Sequence, residues 1–573
     1  MMKKIFYVVL FTTIFVQSYA QSLDYSWARK AGGEDTDIGN AIAIDLNGDV
    51  LVVGTFISDS ISFGNTTLAN SDSLSNAMFI AKYNSSGDLL WVRSPATPSA
   101  NKTTNGIGVA TDANGNVFVA GDINSDSVNF DGNWIVFENA SYSYIAKFDP
   151  NGKFVWLRKA FGAYGTAGIS IDGNGDVLLA AKNAISFDGT LLTNNGTGKH
   201  FVVKYSNSGN FMWVNFATFS SASSYGYNAE WDNKTVFTDD DNNVYMAGWS
   251  GLDTTFFNDD KTIYVANNAS LRNSFLVKYN SNGVALWAKG ADKTVIPNSG
   301  SNITPESIFA SDNFVYLTGW WFGDSLRFDN NQITATSNYD YNMFVAKFDL
   351  LGNNIWFKSL GSEGNDYSHG LAVDSAENVY LVGTTEGYNL HFNNNPVGNT
   401  IGGNHASVFK INAFGNFLEY IQSNNIPLYG TGFGNAIDID DSDNIFITGG
   451  FSSIVAFGND TLTSTNSINW QDMFVCKLFN DYSVGINTLE SFKNELKIYP
   501  NPANELITID LKREKTNNET EIGIYSLTGS LIRKEKFQGK LIMMNVEELV
   551  NGVYIINVNS NGSFKTQKLI IQR

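Results

Sequence analysis

A lysine, a glycine five residues on and a tryptophan four residues after that return five times without an insertion: Lys82/Gly87/Trp91, Lys147/Gly152/Trp156, Lys204/Gly209/Trp213, Lys278/Gly283/Trp287 and Lys347/Gly352/Trp356. A sixth copy, Lys410/Gly415, carries Glu419 in place of the tryptophan. A frame that never slips reads as two paired strands joined by a tight turn, because one extra residue would flip every later side chain to the other face of the sheet. The turn sequences YNSSG, FDPNG, YSNSG and YNSNG supply Asn, Asp, Pro and Gly where the chain must reverse.

Between these hairpins lies a second recurring pair, from GNAIAIDLNGDVLVVG at 39–54 to AIDIDDSDNIFITG at 436–449, seven in all. Each is an alternating strand, an Asp/Asn/Gly turn and a strand rich in Val, Ile, Tyr and Phe, so a full repeat holds four strands. The repeat recurs every 57 to 74 residues between tryptophans, which suits a propeller blade and is too long for a β-helix rung. The expected fold is all-β: a seven-bladed β-propeller over residues 21–480. The phase of the repeat adds to this. A lone tryptophan strand around Trp27 precedes the first repeat, and the seventh ends at Cys476 without one. Pairing the two would complete the last blade and remove two open sheet edges. With AIAID innermost, the tight turns share one face and the long connections the other, where binding residues usually sit. Ala41, Ala43, Gly108 and Gly168 suit a crowded axis.

Residues 1–20 read as a secretory signal: Lys3 and Lys4, an apolar run, then Ser18-Tyr19-Ala20 with cleavage expected between Ala20 and Gln21. That run is short for a membrane span, and no later segment is long enough. Cys476 is the single cysteine, so stability must come from packed sheets and not from an intrachain disulfide. Residues 21–496 hold 24 Lys+Arg against 48 Asp+Glu, whereas residues 497–573 hold 11 against 8. The asymmetry marks two bodies joined by a linker at 481–496, and the acidity argues against nucleic acid as a partner. The tail's short alternating strands predict a small β-sandwich.

Over residues 25–480 the blade pattern resembles the bacterial SBBP-type β-propeller repeat, an architecture with no fixed activity. The tail resembles the type A sorting domain of the type IX secretion system through Tyr499-Pro500-Asn501-Pro502, Gly529, Gly552 and Tyr554. That resemblance implies the type IX machinery as a partner and a secreted or outer-membrane-surface location, reached after signal-peptide export to the periplasm.

Chemistry is sparse. The turns DLNGD, DANGN and DGNGD miss the glycine and glutamate positions of a helix-flanked calcium loop, so hairpin turns are expected and no metal is assigned. The repeated lysines are expected to pair within a blade, each contributing ~0 to 1 kcal/mol. The four histidines show no ligand spacing, no catalytic constellation is recognisable, and no cofactor is expected. Six tryptophans leave the frame: Trp134, Trp231, Trp249, Trp320, Trp321 and Trp470. They fall by the long connections, and Trp231, Trp249, Trp320 and Trp321 are expected to gather on one rim as a stacking surface. The competing expectation is burial under loops. Asp-Ser/Thr steps at Ser60, Ser73, Ser127, Thr254, Ser325 and Thr461 are similar to O-glycosylation acceptors of such exported proteins, though the same pairs also begin turns. The expected function is non-enzymatic binding of a surface glycan or protein, with a polysaccharide- or peptide-degrading enzyme and a surface-layer component as alternatives.

Overall fold

A computed structural model describes residues 23–572, leaving out 71–74, 98–101, 138–140, 185, 189, 192–199, 220–234, 251–253, 258–261, 263, 266–272, 294–301, 336–339, 426–429, 466–469, 481–496, 511–519, 527–530, 538–540 and 561–562. The signal segment, Ala20 and Gln21 included, and the linker lie outside the described residues. The chain divides into two compact units between Asp481 and Tyr482.

Every named element of the first unit is a β-strand, and one antiparallel order recurs seven times between Leu23 and Asn480. In the first sheet Asp37–Ile44 pairs with Val50–Phe56, that with Ala77–Tyr83, and that with Leu89–Arg93. The seventh sheet takes its first three strands from Gly432–Ile439, Ile445–Phe451 and Asp472–Asn480, and its fourth from Leu23–Ala31 at the other end of the chain. In six sheets the frame lysine faces the residue nine positions on, as Lys82 faces Trp91 and Lys410 faces Glu419. Trp27 faces Lys477 in the same register.

The frame residues join each sheet to the next. The indole N–H of Trp91 donates to Pro150 O at 3.2 Å, Trp213 to Ser281 O at 3.1 Å and Trp287 to Leu350 O at 3.0 Å, each acceptor lying in the tight turn of the following sheet. Trp27 does the same to Ser85 O at 3.1 Å. The turn glycine is required twice over. Gly87 has φ +82, and a Cβ there would come within 2.9 Å of the Trp27 ring. Glu419 now has a physical reason: the seventh sheet's last strand comes from the start of the chain, and Glu419 Oε2 accepts the Leu23 N–H of that strand at 3.0 Å.

The lysine pairs are more buried than a surface pair. Lys204 Nζ lies 2.6 Å from Asp172 Oδ2 and Lys82 Nζ 2.8 Å from Asp45 Oδ2, with every one of these side chains at most 5% exposed. The expected ~0 to 1 kcal/mol describes exposed pairs; in a buried pair desolvation offsets much of the attraction, and it is the removal of one partner that costs more. The other oxygen of Asp45 accepts the N–H groups of Asn47 and Asp49, so the DLNGD stretch is a hairpin turn held by its own aspartate.

The long connection between second and third strands is less variable than its sequence implies. In each repeat it carries a small hairpin, such as Ser60–Phe63 with Thr66–Ala69 or Ser325–Phe328 with Asn331–Thr334. A buried phenylalanine anchors it: Phe63, Phe130, Phe187, Phe257, Phe328, Phe392 and Phe457. Positive φ follows at Gly64, Asp131, Asp188, Asp329, Asn393 and Gly458, where Gly, Asn and Asp are the residues that tolerate it.

The second unit packs a three-stranded sheet, Lys497–Tyr499 with Leu506–Asp510 and Leu541–Asn545, and a four-stranded sheet around one core of Ile507, Ile524, Ile556 and Leu569. Asn501 ties the YPNPA segment to the last strand, its side chain bonding Lys568 O at 2.7 Å and Ile570 N at 2.8 Å. Tyr554 is buried with its hydroxyl on Val550 O, Gly552 opens the strand Gly552–Ser560, and Tyr499, Pro500 and Pro502 are exposed. Gly529 lies outside the described residues.

Candidate functional site

The innermost strands of neighbouring sheets pack side by side in sequence order, and Gly432–Ile439 packs in turn against Asp37–Ile44. A channel runs between them. At the tight-turn end it widens to about 620 Å³ with Asp240, Asp312, Asp374, Glu377 and Asp438 on its wall. Burial and the facing carboxyl of Asp312 hold Asp240 above the usual carboxylate range. Further along it narrows to about 20 Å³ beside Ala41, Val109, Ile169, His369 and Asn435, room for about one water.

Near that constriction the innermost strands slip register by one residue, at Asn40, Ile107, Glu306, His369 and Asn435. A bulge re-aims the extra side chain, and here it bridges neighbours: Asn40 Nδ2 donates to Gly106 O at 2.8 Å and Asn435 Nδ2 to Gly39 O at 3.0 Å. Between the fifth and sixth repeats both bulge residues are ionisable. His369 Nδ1 lies 3.8 Å from Glu306 Oε2, and Trp320 Nε1 donates to Glu306 Oε1 at 2.8 Å.

Around Trp320 the rings form a half-buried patch on the long-connection side. Trp320 meets Tyr341 at 5.1 Å and Tyr367 at 5.9 Å, both edge to face, and Tyr367 stacks on His369 at 6.1 Å. Glu386, exposed at the rim, accepts the Asn365 N–H, and the Asn365 side chain accepts the Tyr341 N–H. Burial keeps His369 neutral, pushing it down to about 4. Burial, aided by Glu386, pushes Asp366 up to about 7, and burial with Tyr341, Glu386 and Asp366 pushes Tyr367 up to about 12. The exposed carboxyl of Glu386 lies at the edge of the patch.

The expected four-tryptophan rim is corrected. Trp321 is fully buried, packed with Ile303, Leu326 and Phe328, and Trp249 is 7% exposed against His200 with Lys182 Nζ 5.1 Å over its ring. The reason is strand continuity: Phe314–Phe322 and Val244–Ser250 remain paired where the chain was expected to leave the sheet, so adjacent Trp320 and Trp321 point to opposite faces. Trp134 and Trp470 are exposed, and Trp231 lies outside the described residues. Sequence reasoning missed Glu306 and His369, since a bulge shows only once the register is known.

The Asp-Ser/Thr steps divide. Ser60, Ser127 and Ser325 open the repeated hairpins, and the preceding Asp carbonyl closes each one, Asp59 O accepting Asn70 N at 2.8 Å and Asp324 O accepting Ala335 N at 3.0 Å. Ser60 and Thr461 are exposed, Ser127 and Thr254 half-buried and Ser325 buried, while Ser73 lies outside the described residues.

Residues 497–572 match the family described as "Secretion system C-terminal sorting domain". The tail is a type IX sorting domain. Residues 99–127 and 355–391 match "Beta-propeller repeat", so the exported chain carries SBBP-type propeller repeats ahead of its sorting domain, which directs it to the cell surface or the medium. Among curated proteins it is 28% identical over 223 residues to an uncharacterized WD repeat-containing protein of Acanthamoeba polyphaga mimivirus, covering 36% of this chain and 15% of that one. It is 29% identical over 114 residues to an endo-acting ulvan lyase of Formosa agariphila, covering 20% of this chain and 22% of the enzyme. The chain thus spans under a quarter of either relative. Among solved structures, a Dyadobacter fermentans protein of unknown function covers 80% of this chain and 98% of its own at 8% identity and TM-score 0.35. The extracellular domain of a one component system from B. thetaiotaomicron covers 97% and 100% at 11% identity and TM-score 0.16.

Proposed function

We propose that the sorting-domain protein is a non-enzymatic, seven-bladed propeller closed by its own N-terminal strand, crossing the inner membrane by its signal peptide and binding a surface glycan through the Trp320 patch. Closure is supported by the Trp27–Lys477 register and by the Leu23 N–H on Glu419. The observation that carries the binding reading is the half-buried ring cluster of Trp320, Tyr341 and Tyr367 beside a polar rim, the mixture of flat apolar face and hydrogen-bonding edge that a sugar ring needs.

A glycan array probed with the mature chain tests it. Binding is expected to fall at least about tenfold in Trp320→Ala, the loss of one well-packed aromatic anchor, and to persist in Trp134→Ala, whose exposed ring sits on the small hairpin of the second repeat. Equal binding by all three proteins would count against this site, and partner capture through protein alone would shift the ligand class. A second reading, polysaccharide cleavage, draws on the facing carboxyls of Asp240 and Asp312 in the wide end of the channel. Product release from an array polysaccharide that disappears in Asp240→Asn would select it.

A further inference from the structure

We propose that the Trp320 patch takes uncharged or amino-bearing sugars and turns away glycans bearing uronate or sulfate. This rests on the ligand-binding reading of the same patch and assigns it a chemical class.

The first ground is the indole itself. Trp320 N–H donates to Glu306 Oε1 at 2.8 Å, and the Glu306 side chain is 3% exposed, so the acceptor is a carboxyl set behind the ring and shielded from solvent. That bond fixes the orientation of the indole and takes up its N–H, so the patch offers a ligand the ring face and not this donor. The ring face, the negative part of the quadrupole, is a good partner for sugar C–H groups and for cations and a poor one for anions. Glu306 acts here as a positioning residue, since it is too buried to meet a ligand.

The second ground is the rim. Among the described residues the donor that Glu386 meets is a backbone N–H and not a cation, and Asp366 is bonded by Ser362 and by the Glu386 N–H. These neutral donors leave the charge of Glu386 in place at the edge of the patch. An approaching carboxylate or sulfate would meet that charge through a partly low-dielectric boundary, whereas an ammonium would be drawn to it.

The test uses the mature full-length chain and three hexasaccharides: N-acetylchitohexaose, its deacetylated amino form, and an oligogalacturonate. The neutral and amino forms are expected to bind with dependence on Trp320, the amino form more tightly, and the uronate at least about tenfold more weakly at low salt. Raising NaCl from about 20 to about 500 mM should narrow the spread. Glu386→Gln keeps an oxygen for the Asn365 N–H and removes the rim charge, so the preference for the amino form over the neutral one should shrink about threefold or more, with the melting temperature measured alongside. Trp320→Phe, which keeps the ring and loses the N–H, replaces Trp320→Ala if the latter fails to fold. Uronate binding as tight as neutral binding and dependent on Trp320 overturns the charge class while leaving the patch a binding site. Binding to no member of the panel, or binding indifferent to both Trp320 variants, overturns the patch and the charge class together.

Discussion

Removing residues 21–31 from the mature chain is expected to destabilise the propeller by on the order of 5 kcal/mol, far beyond the effect of trimming a ragged end. The strand Leu23–Ala31 buries Leu23, Trp27, Ala28 and Ala31. Trp27 packs 6.2 Å from Phe446 and under the turn of Gly87, so the loss reaches the seventh and first sheets at once. Deletion also bares Asp472–Asn480 as a long apolar edge, which predicts association of the truncated protein. Thermal unfolding with light scattering reads both effects, and a synthetic peptide of residues 21–32 should restore part of the melting temperature. A truncated chain that melts with the intact one would remove the closing role of this strand.

Lys204→Met should cost about 3 to 5 kcal/mol, the loss seen when one partner of a buried ion pair is removed. Lys204 Nζ reaches Asp172 Oδ2 at 2.6 Å and Asp176 Oδ2 at 3.4 Å, with the Lys204 and Asp172 side chains 2% and 0% exposed. The substitution leaves the Asp172 charge inside the sheet while its second oxygen stays bound to the N–H groups of Asn174 and Asp176. Adding Asp172→Asn removes the stranded charge and keeps an oxygen for the turn, so the double variant should regain at least about half of the loss. Lys477, half-buried over the Phe446 ring at 5.2 Å, provides the contrast; its methionine variant should cost less than about 1 kcal/mol. Denaturant unfolding that gives Lys204 and Lys477 equal costs would show that burial does not set the cost of losing these lysines.

What was legible in the sequence follows from which forces act locally. The Lys/Gly/Trp frame was readable because a tight turn fixes register within a few residues, and the glycine cannot be replaced where φ is positive and an indole lies against it. The offset of the Trp27 strand was readable because the seventh repeat lacked its fourth strand. The anchoring hairpins were not read, although SFGN, NFDG, SFDG, RFDN and AFGN stand in the sequence, because their strands are four residues or shorter and the flanking loops vary in length. Trp321 was misplaced because two adjacent tryptophans look alike until the strand is known to continue past them. Glu419 looked like a defect in the repeat, and only the position of Leu23 N–H shows what it is for. Glu306 and His369 meet through bulges in two sheets 63 positions apart in sequence, a relation no local pattern carries.

The most direct test of closure uses the chain's single cysteine. Ala28 stands opposite Cys476 across the join, and its N–H goes to Asp460 Oδ2 at 2.7 Å and not to Cys476 O, which marks a non-hydrogen-bonded pair. Such pairs bring Cα atoms to about 4.5 Å, within the range a disulfide spans. Ala28→Cys in the mature chain, oxidised mildly and analysed by mass spectrometry after tryptic digestion, should yield an intramolecular peptide pair joining position 28 to Cys476 and no free thiol. Two free thiols in the folded, oxidised monomer, or a disulfide formed only between molecules, would contradict the closed ring.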